Sequence, residues 1–288
     1  SKSFDVPVIA VGNITVGGTG KTPHVEYLVE LLHDKFNVAV LSRGYKRKSK
    51  GFIVADKKDN ATTIGDEPYQ MKQKYQSVTI AVDKDRCNGI EMLMNNNVAK
   101  DIEVVLLDDA FQHRYVKPGI NILLVDYHRL IIYDTLLPAV RLREPLSGKN
   151  RADIVIITKC PSSLKPMDFR VITKAMNLFP YQQLYFTRIE YKSLTPIYCG
   201  EERSLSSIDK KENILLLTGI ASPKQMIIDL EPYSNNITPM TFDDHHAFTA
   251  KDIELINNTF AEMPSPKTII TTEKDATRIF GQQGLSDE

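Results

Sequence analysis

The residues with the plainest chemistry form a glycine-rich loop near the start of the chain. Its sequence is Thr15-Val16-Gly17-Gly18-Thr19-Gly20-Lys21-Thr22. Glycines in a loop of this kind let successive backbone N–H groups turn inward onto phosphate oxygens at a helix N-terminus. The lysine of such a loop reaches the β and γ phosphates, and the following hydroxyl holds Mg²⁺. We therefore expect the loop to bind a nucleotide, with Lys21 assisting phosphoryl transfer and Thr22 holding the metal.

Two elements must position this loop. The apolar run Val6–Val11 precedes it and predicts a buried strand, and Pro23–Leu32 follows it with the periodicity of an amphipathic helix. Thr15 stands where the motif usually has its first glycine, and Val16 replaces the signature lysine of the switch-like ATPases that share the loop. A glycine-rich turn without a ligand is the alternative, but the strand-loop-helix context favours a phosphate site.

A pair of acids follows a second apolar run. Val104–Leu107 ends in Asp108 and Asp109, as a Walker B strand does, and such an acid binds Mg²⁺ directly or through water. An ordinary turn after a strand, where Asp is common, is the alternative. The pattern predicts that these two acids serve the same metal ion as Thr22.

A later strand gives information about the base of the nucleotide. GTPases read guanine with the pattern Asn/Thr-Lys-x-Asp, and this chain has Thr158-Lys159-Cys160-Pro161 after the apolar run Ile154–Ile157. Pro161 replaces the Asp that would pair with guanine. The pattern therefore favours ATP, together with Mg²⁺, as the nucleotide.

Phosphoryl transfer to an alcohol also requires a group that positions the hydroxyl and takes its proton. Two loops supply candidates: Gly65-Asp66-Glu67-Pro68, which precedes a helix, and Asp243-Asp244-His245-His246, which follows the run Ile237–Phe242. Each has an ordinary alternative, because an Asp in such a turn is commonly a helix cap and two loop histidines are commonly exposed polar surface. The residues alone leave both alternatives open.

The bulk composition is that of an ordinary globular protein. The chain has 288 residues, of which 42% are hydrophobic and 25% charged, and Lys plus Arg (36) balances Asp plus Glu (36). Zero net charge gives no reason to expect a nucleic-acid partner. Cys87, Cys160 and Cys199 lack metal-like spacing and are expected to be free thiols in a reducing cytoplasm. No segment has the roughly 20 apolar residues that cross a bilayer, and no signal peptide is present.

The alternation of short apolar runs with helix-periodic stretches predicts an α/β fold with a mostly parallel sheet covered by helices. The first series of runs occupies residues 1–184 and contains the phosphate loop, which predicts a P-loop NTPase-like kinase domain. A second, shorter series occupies residues 211–288 and predicts a smaller α/β domain. Residues 185–210 contain short alternating pieces that indicate an extended linker between the two.

The order of these motifs resembles the tetraacyldisaccharide 4′-kinase family, the lipid A 4′-kinases of Gram-negative bacteria. The series spans nearly the whole chain, and the pieces are specific only in combination. The matching segments are Val11-Gly12-Asn13, Gly17-Gly18-Thr19-Gly20-Lys21-Thr22-Pro23, Ser42-Arg43-Gly44-Tyr45, Gly65-Asp66-Glu67-Pro68, Asp108-Asp109, Phe111-Gln112-His113-Arg114, Leu142-Arg143-Glu144-Pro145, Asp244-His245-His246 and Thr272-Glu273-Lys274-Asp275-Ala276.

The resemblance implies transfer of the ATP γ-phosphate to the 4′-hydroxyl of a tetraacylated glucosamine disaccharide 1-phosphate, giving lipid IVA. It also implies two α/β/α domains joined by a two-stranded linker, with the active site in the cleft between them. By this resemblance, Asp66 is the general base and is paired with His245 across the cleft. Glu67 joins Asp108 and Asp109 in serving Mg²⁺.

The family further implies a peripheral seat on the cytoplasmic face of the inner membrane, through an N-terminal helical segment that this sequence lacks. A strand begins almost at Ser1, and the chain stops soon after residues 272–276, where relatives continue with a closing helix. We therefore expect that sequence has been trimmed at both ends and that this fragment is soluble.

Basic side chains are the candidates for contact with the acceptor. Arg43 opens the basic run Arg43–Lys50, which either meets the 1-phosphate or anionic headgroups or is a solvated loop. His113, Arg114 and Arg143 either face sugar or phosphate or brace loops.

Two other functions use the same phosphate loop. One is a P-loop ATPase switch with a protein partner, which would not require Asp66 or His245. The other is a kinase for a soluble sugar.

Overall fold

The apolar runs form strands because a helix-covered sheet buries their side chains on both faces. The computed structural model describes residues 1–16, 18–95, 98–99, 101–133, 142–198, 200–220, 223–244 and 246–279. The chain divides into two compact units, Ser1–Ile189 and Glu190–Glu288.

Among the described residues, the first unit contains a sheet of eight strands. In chain order they are Val8–Gly12 (β1), Val38–Ser42 (β2), Ile53–Val54 (β3), Thr79–Val82 (β4), Val104–Leu107 (β5), Ile120–Asp126 (β6), Ile154–Thr158 (β7) and Gln183–Phe186 (β8). Their spatial order is β3-β4-β2-β5-β1-β6-β7-β8, and every neighbouring pair is parallel except β3 with β4. The helices of this unit are Lys21–Leu32 (α1), Ala61–Ile64 (α2), Asp66–Lys74 (α3), Arg86–Leu93 (α4) and Pro166–Met176 (α5).

Both faces of this sheet are buried. Val104 and Leu106 of β5 pack with α1 into one hydrophobic cluster, whereas Val105 and Leu107 pack with α4 into another. Each fully buried aliphatic side chain of this kind contributes about 1.5–3 kcal/mol. Because alternate side chains of β5 are buried on opposite faces of the sheet, the strand is held from both sides. Asp108, which directly follows β5, is therefore held in a fixed position.

The strand order brings the chemical groups together. β1 leads into the phosphate loop, and β5, which leads into Asp108, pairs with β1 in parallel. Carboxyl ends of neighbouring parallel strands meet at one edge of a sheet, where α/β proteins bind their ligands. The loop and the acids therefore share an edge, as their positions after strands predicted.

The second unit has two small sheets among its described residues. Two short strands, Ser193–Leu194 (β9) and Arg203–Ser204 (β10), pair antiparallel. Three parallel strands, Asn213–Thr218 (β11), Asn236–Thr241 (β12) and Lys267–Thr271 (β13), lie in the order β12-β11-β13. The helices are Lys224–Leu230 (α6), Ala250–Glu262 (α7) and Glu273–Ile279 (α8). In the described ranges of both units, no helix combines the length and apolar character needed to cross a membrane.

The predicted boundary between residues 184 and 185 falls inside β8. This strand pairs with β7 and belongs to the first sheet, and the first unit continues to Ile189. β8 lies at the sheet edge with alternately exposed side chains, so its sequence has the same pattern as an extended linker. The antiparallel pair of β9 and β10 lies within the predicted 185–210 range.

Candidate active site

The phosphate loop leads directly into α1. Gly20 occupies the N-cap position in the left-handed region (φ +82°), a conformation that a residue with a β-carbon adopts only with strain. No side chain in the described ranges caps this end by hydrogen bonding to it, so the N–H groups of the first helical turn are available to an anion. Thr15 is fixed at the start of the loop by an antiparallel bridge to Leu142. Gly17 lies outside the described residues.

Lys21 faces Asp109 across this edge. Its Nζ lies 3.4 Å from Asp109 Oδ1. Asp109 has a left-handed backbone (φ +49°), and strained backbone of this kind clusters at functional sites. Arg143, a predicted substrate residue, is also here, with its Nη1 4.0 Å from Asp109 Oδ2. The backbone N–H of Arg143 donates to the carbonyl of Ile14 at 2.8 Å. Two cations thus converge on one carboxylate beside the phosphate loop.

Asp108 is buried, with 1% of its surface exposed. The hydroxyl of Ser42 donates to its Oδ2 at 3.1 Å, and among the described residues Oδ1 has no hydrogen-bond partner. Burial raises the pKa of Asp108 to about 7, the charges of Glu67 and Asp109 add to the rise, and Lys21 acts against it. A buried carboxylate oxygen without a partner is costly, so this atom is suited to a cation that the protein itself does not supply.

Mg²⁺ fits this donor set. The Thr22 hydroxyl and the carboxylates of Glu67, Asp108 and Asp109 are oxygen ligands of the kind that Mg²⁺ prefers. In the part of the chain that the structure describes, no group of three or more His, Cys, Asp and Glu side chains is placed to hold a metal alone. A phosphate-loop magnesium takes most of its ligands from phosphate and water, so one or two protein oxygens suffice.

Asp66 and Glu67 form the first turn of α3. Gly65, with φ +96°, takes the N-cap position, so Asp66 is not the capping residue that the alternative interpretation required. A β-carbon at Gly65 would lie 3.1 Å from the carbonyl oxygen of Tyr45. The basic loop that contains Tyr45 therefore packs closely against this turn. Asp66 itself is half-buried. The turn therefore stands near Asp108, since the Glu67 charge contributes to the raised pKa of that carboxyl.

The remaining basic candidates divide into two kinds. Arg43 is exposed, and its charge lowers the pKa of both His113 and Arg86 after the larger effect of burial. His113 is half-buried, and its Nδ1 has no partner among the described residues. Arg114 instead donates to Glu144 at 2.8 Å, as Arg151 also does. Arg114 thus braces a loop, Arg43 is exposed to solvent, and the His113 Nδ1 is a buried atom without a partner among the described residues.

In the second unit, His245 lies outside the described residues, and its neighbour His246 has a structural role. His246 Nε2 lies 3.0 Å from Asp252 Oδ2, and its ring stacks on Phe242 with centroids 4.8 Å apart. Hydrogen bonds from Thr249 and then His246 lower the pKa of Asp252 to about 2. The loop after β12 is therefore anchored immediately beside the position of His245.

Sequence reasoning missed two residues that hold Asp108. The Ser42 hydroxyl donates to the Asp108 carboxylate. Arg86 Nη2 donates to the backbone carbonyl of Asp108 at 3.2 Å. Ser42 ends β2, which pairs with β5, so a prediction of the strand order would have placed it. Arg86 is buried and gives no sequence signal beyond an ordinary helix start.

Comparison with known proteins gives a consistent result. A family model described as LpxK, tetraacyldisaccharide-1-P 4′-kinase, matches residues 1–287. The chain is 61% identical over 289 residues to the tetraacyldisaccharide 4′-kinase of Phocaeicola vulgatus, covering 100% of this chain and 79% of that protein. It is 56% identical over 292 residues to the protein of the same name from Bacteroides fragilis (ATCC 25285), covering 100% and 77%.

A solved structure is also similar. It is the crystal structure of the "apo" form of LpxK from Aquifex aeolicus in complex with ATP, which matches with a TM-score of 0.70 and 30% identity. The match covers 97% of this chain and 81% of that chain. This likeness confirms the predicted α/β fold class.

Proposed function

The chain belongs to the tetraacyldisaccharide-1-P 4′-kinase family, and on that premise we propose that the site around Lys21 transfers the γ-phosphate of ATP to the 4′-hydroxyl of a tetraacyldisaccharide 1-phosphate. Membership confirms the predicted reaction class, an ATP-dependent kinase of lipid A biosynthesis. The proposal concerns the residues that perform the transfer.

The observation that carries this proposal is the charge arrangement at the ends of β1 and β5. Lys21 lies 3.4 Å from Asp109 beside an uncapped helix N-terminus, and the buried Oδ1 of Asp108 lacks a partner among the described residues. A phosphate placed at the helix end would draw Lys21 from Asp109, because charge-assisted hydrogen bonds to phosphate are strong. Mg²⁺, when bound near Thr22 and Asp108, neutralises charge on the phosphates.

The roles follow from what the transfer requires. The bond from the γ-phosphorus to the β–γ bridging oxygen breaks, and a bond to the acceptor oxygen forms. Lys21 stabilises the negative charge that spreads over the transferring group. The proton of the acceptor hydroxyl goes to Asp66, with His245 as its proposed partner, while Glu67 and Asp109 keep the metal region anionic. Arg43, His113 and Arg143 are the proposed contacts for the sugar and its 1-phosphate.

The acceptor carries acyl chains, so the enzyme must meet its substrate at a lipid surface. We extend the proposal to a peripheral position on the cytoplasmic face of the inner membrane. The basic run Arg43–Lys50 supports this, since each basic residue near an anionic surface contributes about 1 kcal/mol. Co-sedimentation with vesicles that contain anionic lipid, compared with neutral vesicles, tests this part alone.

The transfer itself is tested with labelled ATP and tetraacyldisaccharide 1-phosphate in detergent. Lys21→Ala should lower turnover by about 10²–10³-fold, because it removes charge stabilisation of the transition state. Lys35→Ala, which changes an exposed lysine just beyond the other end of α1, is the matched control and should retain full activity. Near-normal turnover in Lys21→Ala would refute its assignment.

The acceptor and the base need separate tests. Wild-type protein that hydrolyses ATP only with a protein partner and phosphorylates no acylated disaccharide would support the switch ATPase instead. Preference for a water-soluble sugar would support the third function. Asp66→Asn should slow transfer at unchanged ATP affinity, with the exposed Asp34→Asn as control; a large loss of ATP affinity would give Asp66 a binding role.

A further inference from the structure

Side chains contact three successive carbonyls of the phosphate loop. Lys159 Nζ donates to the carbonyl of Gly18, and Thr158 Oγ1 donates to that of Thr19 at 2.9 Å. His24 Nδ1 lies 2.7 Å from the carbonyl of Gly20, which also accepts the backbone N–H of His24 at 3.3 Å. Thr158 is the last residue of β7, and Lys159 directly follows it. His24 lies in the first turn of α1.

These contacts orient the opposite sides of the same peptides. In a planar trans peptide the C=O of one residue and the N–H of the next point in opposite directions. Side chains that hold the carbonyls of Gly18, Thr19 and Gly20 therefore aim the N–H groups of Thr19, Gly20 and Lys21 away from themselves. Inward N–H groups are what a loop of this kind offers to phosphate.

His24 is itself held from a third element. Its Nε2 lies 3.0 Å from the hydroxyl of Thr187, which directly follows β8. Burial lowers the pKa of His24, so the ring is neutral with one N–H. Because a carbonyl can only accept, Nδ1 carries that hydrogen, and Nε2 accepts from the Thr187 hydroxyl.

We propose that His24, oriented by Thr187, is a positioning residue that fixes the Gly20 carbonyl and thereby the N–H groups that receive the nucleotide phosphates; this rests on the proposed nucleotide site. The contact also ties the loop to the last residues of the first unit, which ends at Ile189. Lys159 and Thr158 hold the two preceding carbonyls in the same way, with Lys159 steadied by Asp126 at 2.8 Å.

The test uses variants that separate the two bonds of the ring. An Asn amide nitrogen takes the position of Nδ1, and a Gln amide nitrogen takes that of Nε2. His24→Asn keeps the bond to Gly20 and should bind ATP within about threefold of wild type, whereas His24→Ala and His24→Gln should bind about tenfold more weakly. Thr187→Val should weaken binding about threefold, because the ring stays but loses its orientation.

Three readouts distinguish positioning from general damage. ATP affinity is measured by calorimetry, KM for ATP and for the acylated acceptor are measured separately, and circular dichroism checks folding. KM for ATP should rise while KM for the acceptor stays unchanged, and His24→Ala with Thr187→Val should be less than additive. His33→Ala, a change at the C-terminal end of the same helix, is the matched control.

The outcomes separate this proposal from the proposed function. If wild-type protein binds ATP but phosphorylates no acceptor, the kinase proposal fails, and weaker ATP binding by His24→Ala still supports the positioning role. If wild-type protein is an active kinase and His24→Ala binds ATP within twofold of wild type, the positioning role is overturned. Additive effects of the two changes, or equal losses in His24→Asn and His24→Ala, would also overturn it.

Discussion

Asp108 and Asp275 are buried aspartates near the carboxyl edge of a parallel sheet, one in each unit, and their surroundings differ. Asp275, 0% exposed, accepts hydrogen bonds from the N–H of Gly219 at 2.9 Å, the hydroxyl of Thr272 at 2.8 Å and the guanidinium of Arg278 at 3.1 Å. Asp108, 1% exposed, accepts one hydroxyl at 3.1 Å, and its other oxygen has no partner in the described ranges.

The number of hydrogen bonds distinguishes a structural carboxylate from one that has room for a ligand. A carboxylate that the fold satisfies contributes to holding the ends of β11 and β13 together, as Asp275 does through Gly219 and Thr272. A carboxylate that the fold buries without satisfying is costly unless a ligand completes it. The motif Thr272–Ala276, which helped to suggest the family, therefore has a structural role at Asp275, while Asp108 keeps one carboxylate oxygen without a partner among the described residues.

The largest expected effect comes from neutralising Asp108. Asp108→Asn should lower turnover by about 10²–10³-fold, because the site loses a charge that offsets the metal. The fold should remain intact, since the amide relieves a buried negative charge. Transfer assays over a series of Mg²⁺ concentrations provide the measurement. Activity within tenfold of wild type at every Mg²⁺ concentration would remove Asp108 from the metal site.

The matched change in the second unit should act on stability. Asp275→Asn should lower the free energy of unfolding by about 3 kcal/mol, because it removes one charge of the buried ion pair with Arg278 and replaces an accepting oxygen with an amide nitrogen. Denaturant unfolding monitored by circular dichroism measures it. Affinity for ATP should stay at the wild-type value, and a stable variant that has lost ATP affinity would contradict the scaffold role.

The pH dependence of stability should report the burial of Asp108. Burial raises the pKa of Asp108 to about 7, whereas an unfolded aspartate titrates near 3.9. Between those values the unfolded chain releases a proton that the folded chain keeps, so stability of the metal-free protein falls as pH rises from about 4 to about 7 through this group, and levels off above.

Calorimetry of Asp108→Asn checks this sign. The variant should match wild type in melting temperature near pH 4 and exceed it by a few degrees near pH 8, without Mg²⁺ or nucleotide. Addition of Mg²⁺ and ATP should reduce the advantage, because wild type then gains the missing ligand. An equal advantage at both pH values would show that Asp108 does not titrate in this range.

The smallest expected effects come from removing one hydroxyl from each carboxylate. Thr272→Val should lower the free energy of unfolding by about 1 kcal/mol and leave the Mg²⁺ requirement unchanged. Ser42→Ala should change stability less and raise the Mg²⁺ concentration needed for half-maximal activity by about threefold. Reversed outcomes for the two variants would remove the distinction between scaffold and site.

The sequence was most informative where a local pattern of residues is typical of one structure. Glycines beside Lys21 predicted the loop, and apolar runs predicted the strands, because burial on both faces requires them. Asp108 and Asp109 could be placed beside the loop because parallel strands end at a common edge. The roles assigned to Asp66, His245 and the other site residues stay predictions.

The partners of these groups come from distant parts of the chain, so they could be placed only by also predicting which strands are neighbours. Ser42 meets Asp108 only because β2 pairs with β5, and His24 meets Thr187 only because β8 closes the sheet edge. The domain boundary at 184 differed from the observed unit for a related reason. An edge strand with alternately exposed side chains has the same local pattern as a linker, and only its pairing with β7 distinguishes the two.

The position of β5 between β1 and β2 has a consequence for synthesis of the protein. A chain emerging from the ribosome presents the phosphate loop long before it presents Asp108, and the strands that flank β5 must leave room for it. Non-local pairing of this kind is slow because a long loop must close, at an entropic cost, before the strand contacts stabilise the chain. A nascent chain that ends before β5 therefore has the loop without Asp108, and the two halves of the site cannot meet until the central strand has been inserted.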